Sequence, residues 1–474
     1  MRIWAAIAFL VPGLAWACAL PPSIILTLPT GYYMAGAAAT VAVTALLALA
    51  PQFLPRLHAR TVAERRVLVP VMVSSYVACL AFFALLIIGF FGARDPMHNL
   101  LTLVIWTVIW VALPMGCMVF GNLWRAINPW TAPVRLFRQW LGRSTGVGLS
   151  RLGYWPAVAG LLAFFWFYIV SLSPDDPQVL AQAALIYWGV IFVLGVAEGE
   201  DWLEEGEFLT VYLTYLARVA PFWLSITQNR ARLHFGWPGT QVLAMQPLPP
   251  SAVAFVTLSL AGLSFDGLAS TFWWLALIGE NPLEFTGRSA VMGVNTLGLL
   301  ATWGLTAATI LAILRLGPML AQAPQLVLAG TGTGTGAGRG PAGQTPDMRP
   351  ALLSFLAIAA GYHSAHYLVT LLSAGQYTLA ALNDPFFRGD SWLGLQAFYV
   401  SMGFLADRWV MTTIWNSQFA LILGAHSLAV ILALRLTSGP HSLRTAALAH
   451  LPLTALMVGY TVLGLWLLSS PTSF

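Results

Sequence analysis

The sequence contains no lysine: all 22 basic residues are arginine, and only 8% of its 474 residues are charged. A soluble domain of this size covers its surface with roughly 25% charged residues. This chain therefore turns most of its surface toward something apolar. Without lysine there is no Walker A phosphate loop, whose Gly-Lys-Ser/Thr ending requires one, and ATP-driven chemistry by that route is excluded. Cysteine is scarce too. Cys18, Cys79 and Cys117 show no disulfide or zinc spacing, and the last two lie in apolar stretches, where a small hydrophobe is the ordinary role. There is no GxSxG elbow, no HExxH motif and no evident Cys-His pairing. Ser264 in GLSFDG lies inside an apolar helix rather than at a strand-to-helix turn. The arginines form no basic stripe with interleaved aromatics, which sets nucleic acid aside.

What is plentiful is apolar sequence, 58% of the chain. Stretches long enough to cross a hydrocarbon core, about 20 residues each, occur at 31–54, 67–91, 100–120, 153–173, 179–199, 252–275, 290–314, 350–373, 412–434 and 447–468. The expectation is an all-α, polytopic transmembrane helix bundle of about ten spans in a lipid bilayer. Residues 1–17 read as a signal peptide. Arg2 gives the positive start, Ile3–Leu14 the apolar core and Ala15-Trp16-Ala17 a small-x-small cleavage site. Residues 18–474 then form a single transmembrane domain. An uncleaved first span ending near Pro21-Pro22 is the alternative, and both place residues 20–30 outside.

Charge tests that topology. The segments 55–66, 121–152, 200–251, 315–349 and 435–446 carry 17 arginines, and the alternate segments carry four: Arg94, Arg288, Arg388 and Arg408. Arginine favours the cytoplasmic side, so the former are inner. The expected location is a bacterial inner (cytoplasmic) membrane, with mature N- and C-termini outside. Residues 208–225 are apolar enough to cross, but crossing would bury Arg218 at roughly 2.5–3.5 kcal/mol and move seven arginines outside with only three replacing them. They read instead as an amphipathic helix at the inner surface. A second is expected at 131–142, with Arg135 and Arg138 on its polar side. The inner loop 317–349 contains GTGTGTGAGRGPAGQTP, a flexible Gly/Thr-rich linker between helices of about 31–316 and 350–474.

Ionisable groups inside spans are costly and are functional candidates. They are Asp266, the pair His363 and His366, and His426, all at similar depth. His363 and His366 are three residues apart and share a helix face, flanked by Tyr362 and Tyr367. An Asp with two or three His suits a divalent metal ion or proton transfer; alternatively each His only ties helices together. A second feature is the run EGEDWLEEGE at 198–207, six of the chain's 17 acidic residues, including Glu198 and Glu207. It reads as a solvated face, or as a point of cation intake or water activation. The third is the outer segment 375–394. There Asn383-Asp384-Pro385 makes a turn, and Asp384, Arg388 and Asp390 form either a charged lip or an ordinary polar loop.

Several pieces recur together in one family. They are WRAINPW from Trp124 to Trp130; Gly153-Tyr154-Trp155-Pro156; Gly206-Glu207-Phe208; Phe265-Asp266; Gly361-Tyr362 with Ala365-His366-Tyr367; Gly375-Gln376; Asn383-Asp384-Pro385 with Arg388-Gly389; His426; and the ending LPLTALMVGYTVLGLWLL. In their order and spacing, over most of residues 20–468, the chain resembles the bacterial multi-span membrane proteins known as fenitrothion hydrolases. Members often begin the mature chain with Ala-His-Gly; here that place reads Ala17-Cys18-Ala19. The resemblance implies hydrolysis of an organophosphate triester, and Asp266, His366 and His426 fall at its polar motifs. Three readings follow. In a membrane-embedded hydrolase, a metal held by Asp266, His366 and His426, with His363, would activate water against a small apolar substrate. A proton- or metal-ion-coupled transporter would use the same groups to move a cation. In an accessory or assembly protein of a membrane complex they would be structural. The residues alone place transport level with hydrolysis, and the resemblance favours hydrolysis.

Overall fold

Lipid offers no partners for backbone N–H and C=O groups, so apolar segments satisfy them internally as helices. The computed structural model shows this outcome. It describes residues 30–472 apart from 51–52, 67–68, 228–229, 285–286, 331–344, 396–399 and 440. The expected signal peptide, Cys18 and most of the Gly/Thr-rich linker lie outside the described residues.

Twelve principal helices follow in order: α1 (Thr30–Ala48), α2 (Val71–Phe91), α3 (Leu100–Phe120), α4 (Trp155–Val170), α5 (Pro177–Glu198), α6 (Phe208–Ala217), α7 (Pro250–Ala269), α8 (Arg288–Gly330), α9 (Arg349–His366), α10 (Leu368–Asn383), α11 (Arg408–Leu436) and α12 (Leu443–Ser469). Among the described residues, eight are long and apolar enough to cross a membrane, or nine if α9 and α10, bent by 55° at Tyr367, count as one span. The ten expected stretches all fall on helices, but α4 is short: about 24 Å at 1.5 Å per residue, against a core of about 30 Å.

α7 and α9 lie at the centre. Every residue from Ala351 to His363 is buried, as expected of a helix apolar all round. Gly361 permits the tight approach of α11, since a Cβ there would stand 2.2 Å from the Ala425 Cβ.

The loops gather at two ends. At one, Arg135 bonds Glu200 at 2.7 Å, Ser150 bonds Glu198, and Arg435 donates to the Leu54 and Pro55 carbonyls. At the other, Arg94 pairs with Asp176 at 3.4 Å, Arg288 donates to the Tyr168, Ile169 and Ser171 carbonyls, and Thr271 bridges Thr472. The first end is the arginine-rich one.

Four expectations are corrected. The fold is not all-α. β1 (Ala59–Arg66), β2 (Phe222–Thr227) and β3 (Arg230–Gly236) form an antiparallel sheet in the order β1-β3-β2 at the arginine-rich end. The alternation of FWLSIT and RARLHFG has period two, which suits a half-buried strand. Second, α6 is not a surface helix. Eight of its 10 residues are buried, and at about 15 Å it is too short to cross. Its start, at Glu207, lies against Tyr187 in the middle of α5; its end, at Thr214, meets Asn122 just beyond α3. It is a short buried helix running from beside the middle of α5 toward the arginine-rich end. Third, in the Thr131–Trp140 helix Arg138 is buried rather than on a polar side, and it donates to the Val196 carbonyl at 2.8 Å. Fourth, helix replaces loop at two places. α8 runs past residue 317 into the expected linker, and α10 covers residues 375–383 of the expected outer loop.

Candidate functional site

α7 carries Asp266 three residues from its end, and α9 ends on His366. Their packing brings the two side chains together. Asp266 Oδ2 bonds His366 Nε2 at 3.0 Å and accepts from the Tyr367 hydroxyl at 2.7 Å. Both partners are mostly enclosed, with 14% and 21% of their side chains accessible. Tyr367 is the hinge residue between α9 and α10, and its N–H still reaches the His363 carbonyl. The break therefore aims its ring back at the site. That ring stands edge-on to both His363 and His366, at 4.8 and 4.7 Å.

His363 faces away from the carboxylate. Its Nδ1 bonds the Tyr212 hydroxyl of α6 at 3.0 Å, and its ring packs on Trp110. Trp110 lies in a nine-residue π-helical stretch of α3, Val104–Ala112. Such wide turns shift side-chain register and recur at functional sites; here the stretch stacks Trp110 on Tyr212 as well. His426 stands apart again. Its Nδ1 is satisfied by the Ile422 carbonyl at 2.8 Å. With Tyr362 it lines a cavity of ≈ 10 Å³, about the room one water needs. His426 Nε2 and the Tyr362 hydroxyl are both buried without a hydrogen-bond partner among the described residues. The Tyr362 ring in turn stacks on His366 at 5.5 Å.

No protein-family model, curated protein or solved structure matches this chain.

The geometry revises the expected metal site. Among the described residues, no three His, Cys, Asp or Glu side chains stand close enough together to hold an ion. Asp266 and His366 meet. His363 turns its Nδ1 to Tyr212 and His426 its Nδ1 to the Ile422 carbonyl, and neither stands beside the carboxylate. Of the expected catalytic set of Asp266, His366 and His426, the first two meet, with Tyr367 beside them, and His426 stands apart.

Three acidic residues of the run, Glu198, Glu200 and Glu207, hold the fold, while Asp201 and Glu204 are exposed. Glu198 accepts from Gly148 N and Leu149 N, at 2.8 and 2.9 Å, and from Ser150. Glu200 pairs with Arg135. Glu207 is fully buried: it caps α6 through Leu209 N and Thr210 N and accepts from Tyr187. Asp384 also caps a turn, accepting from Arg388 N and Gly389 N, while the Arg388 guanidinium lies over Phe386 at 5.0 Å. None of these five reaches the Asp266 cluster. Sequence reading missed Trp110 and Tyr212, which carry no signal of their own among 20 Trp and 13 Tyr. Glu207 caps α6 although glutamate is not among the usual N-cap residues, so no capping signal announced it.

Proposed function

We propose that this is a ten-span protein of the bacterial cytoplasmic membrane, arginine-rich end inside and both mature ends outside once residues 1–17 are removed. It moves a small cation coupled to protonation of Asp266 and His366. The observation that carries this reading is the Asp266–His366–Tyr367 cluster at the break between α9 and α10. An ionisable group held within an apolar bundle marks an ion or proton path by default. Broken helices beside such groups are how transporters expose backbone and side chains to a midplane site, and the middle of the short helix α6 reaches His363, one turn before His366, through Tyr212. The test is purified protein in liposomes holding a pH dye, challenged in turn with sodium, potassium, manganese and zinc ions. One cation should shift internal pH with wild type and not with Asp266→Asn, which should still be folded by thermal melt. No shift with any of the four, or an undiminished shift in Asp266→Asn, overturns it.

A second reading keeps the hydrolase of the resemblance. Of the residues at the polar motifs of that resemblance, Asp266, His366 and His426, the first two meet, with Tyr367 beside them. A carboxylate that orients an imidazole makes a general base for water, and Asp266 and His366 could add two ligands to a divalent ion completed by substrate and water. Turnover of an aryl phosphorothioate, lost in His366→Asn, is the expected outcome. No turnover with and without added zinc or manganese rejects it.

A further inference from the structure

The sheet at the arginine-rich end has two unlike faces. Cross-strand partners lie on one side of a sheet, so the register Phe222↔Phe235 and Leu224↔Leu233 makes one face apolar, continued by Ile226 opposite Ala231. β1 adds Arg60 opposite Phe235 and Arg65 opposite Ala231 to that same face. The Arg60 guanidinium stands 5.8 Å over the Phe235 ring. The other face is polar. There Glu64 holds Arg230 and Arg232 at 2.9 and 3.1 Å, and Ser225 bonds His234.

The apolar face is uncovered. Leu224 is 58% and Ile226 41% exposed. Phe222 stacks at 6.4 Å on Phe120, the last residue of α3, which is itself 58% exposed. The apolar face of the sheet thus continues the outward surface of a helix that meets lipid.

We propose that this sheet lies on the membrane as an interfacial anchor for anionic phospholipid. Leu224, Ile226 and Phe235 dip into the upper acyl region, while Arg60 and Arg65 reach up along them to headgroup phosphates. Charge complementarity selects the occupant. A purely apolar partner would strand two guanidiniums, whereas an anionic headgroup layer takes both the arginines and the apolar side chains, as in amphipathic interfacial helices. Arginine binds phosphate with a planar fork of donors. The inference rests on the chain being embedded in a bilayer, not on what it transports or hydrolyses.

The test uses the full chain in nanodiscs, with its cysteines replaced by serine or alanine and a nitroxide attached at Leu224→Cys or, on the polar face, Thr227→Cys. The label at 224 should be reached by lipid-soluble oxygen and shielded from a water-soluble nickel chelate, with the reverse at 227. Replacing anionic lipid by zwitterionic lipid, or combining Arg60→Gln with Arg65→Gln, should raise nickel access at 224 several-fold. Nickel access at 224 equal to that at 227 overturns the proposal. So does shielding of 224 from both reagents, which would mean that protein covers the face, and so does indifference to lipid charge and to the arginine changes.

Discussion

At the residue scale the chain relies on a few enclosed carboxylates, each held by named donors. Tyr367→Phe removes one of the two donors to Asp266. An intramolecular hydrogen bond contributes roughly 0.5–1.5 kcal/mol, and a loss of at least that size should appear as a lower melting temperature. His366 keeps its bond in that variant, so coupled ion movement should weaken rather than vanish; a variant as stable as wild type would show that the Tyr367 hydroxyl contributes nothing. Glu207→Ala is the harsher change. It strands the Tyr187 hydroxyl and two backbone N–H groups of α6, at about 1–3 kcal/mol for each buried donor. The expected result is a protein that extracts poorly or melts well below wild type, with Glu207→Gln intermediate. Asp266 and His366 were legible in the sequence because charge is rare in apolar runs. Tyr367 was legible only as a neighbour, because its bond to Asp266 depends on a helix break that no residue type announces. The four-ligand metal set failed for a related reason. Similar depth and a shared face do not fix which way an imidazole turns, and Tyr212 and the Ile422 carbonyl turn two of the three away.

At the scale of elements, positions of close approach hold the site in register. Gly361 lies between the α9 core and α11, and a Cβ there would meet Ala425 at 2.2 Å and the Leu421 carbonyl at 2.9 Å. Gly361→Val must push α9 and α11 apart, at about 1–3 kcal/mol for overpacking, and it displaces Tyr362 and His363 next to it. Activity should fall more than stability; unchanged activity would show that the α9–α11 spacing does not set the site. The sheet responds to pH instead. The bond from Arg230, with Arg232 beside it, holds the Glu64 carboxyl below the usual carboxylate range. A lowered value in the fold means that the contribution of these pairs is present above the ordinary carboxylate range and is lost as pH falls through the folded value. The protection of β3 amides, measured against the intrinsic exchange rate at each pH, should therefore fall only below the ordinary carboxylate range, and Glu64→Gln should remove that acid step. The strands were written in the alternation of FWLSIT and RARLHFG, a signal that the surrounding apolar helices overshadowed. α6 was harder to read. Its composition fits a span, a surface helix or a buried half-helix alike, and only its Tyr187, Trp110 and His363 neighbours decide between them.

At the scale of the molecule, loop-to-loop contacts and arginine counts converge by separate routes on one partition of the chain. Arg135 with Glu200, Ser150 with Glu198 and Arg435 with Pro55 join segments at the arginine-rich end. Arg94 with Asp176 and Arg288 with the Tyr168 carbonyl join alternate segments at the other. Ser150 and Tyr168 thus lie at opposite ends, and the helix between them, α4, must traverse the bundle although it is shorter than a usual span. Local thinning of lipid or tilt of its neighbours accommodates such a mismatch at a modest cost. α6 does the opposite: it begins and ends within one half, so it adds no crossing. The proposed count of ten and the proposed direction of every loop therefore depend on these two short helices together. Single cysteines in a cysteine-free background test both. Thr61→Cys and Ser144→Cys precede α4, and Asn281→Cys and Ser391→Cys follow both α4 and α6. In intact cells stripped of the outer membrane, a membrane-impermeant maleimide should label positions 281 and 391 and leave 61 and 144 unlabelled until the cells are lysed. Labelling of all four from outside, or of none, would mean that α4 fails to cross or that α6 crosses after all. A second probe, at Glu205→Cys between α5 and α6, separates those two failures: protected in cells if α4 crosses, labelled if it does not.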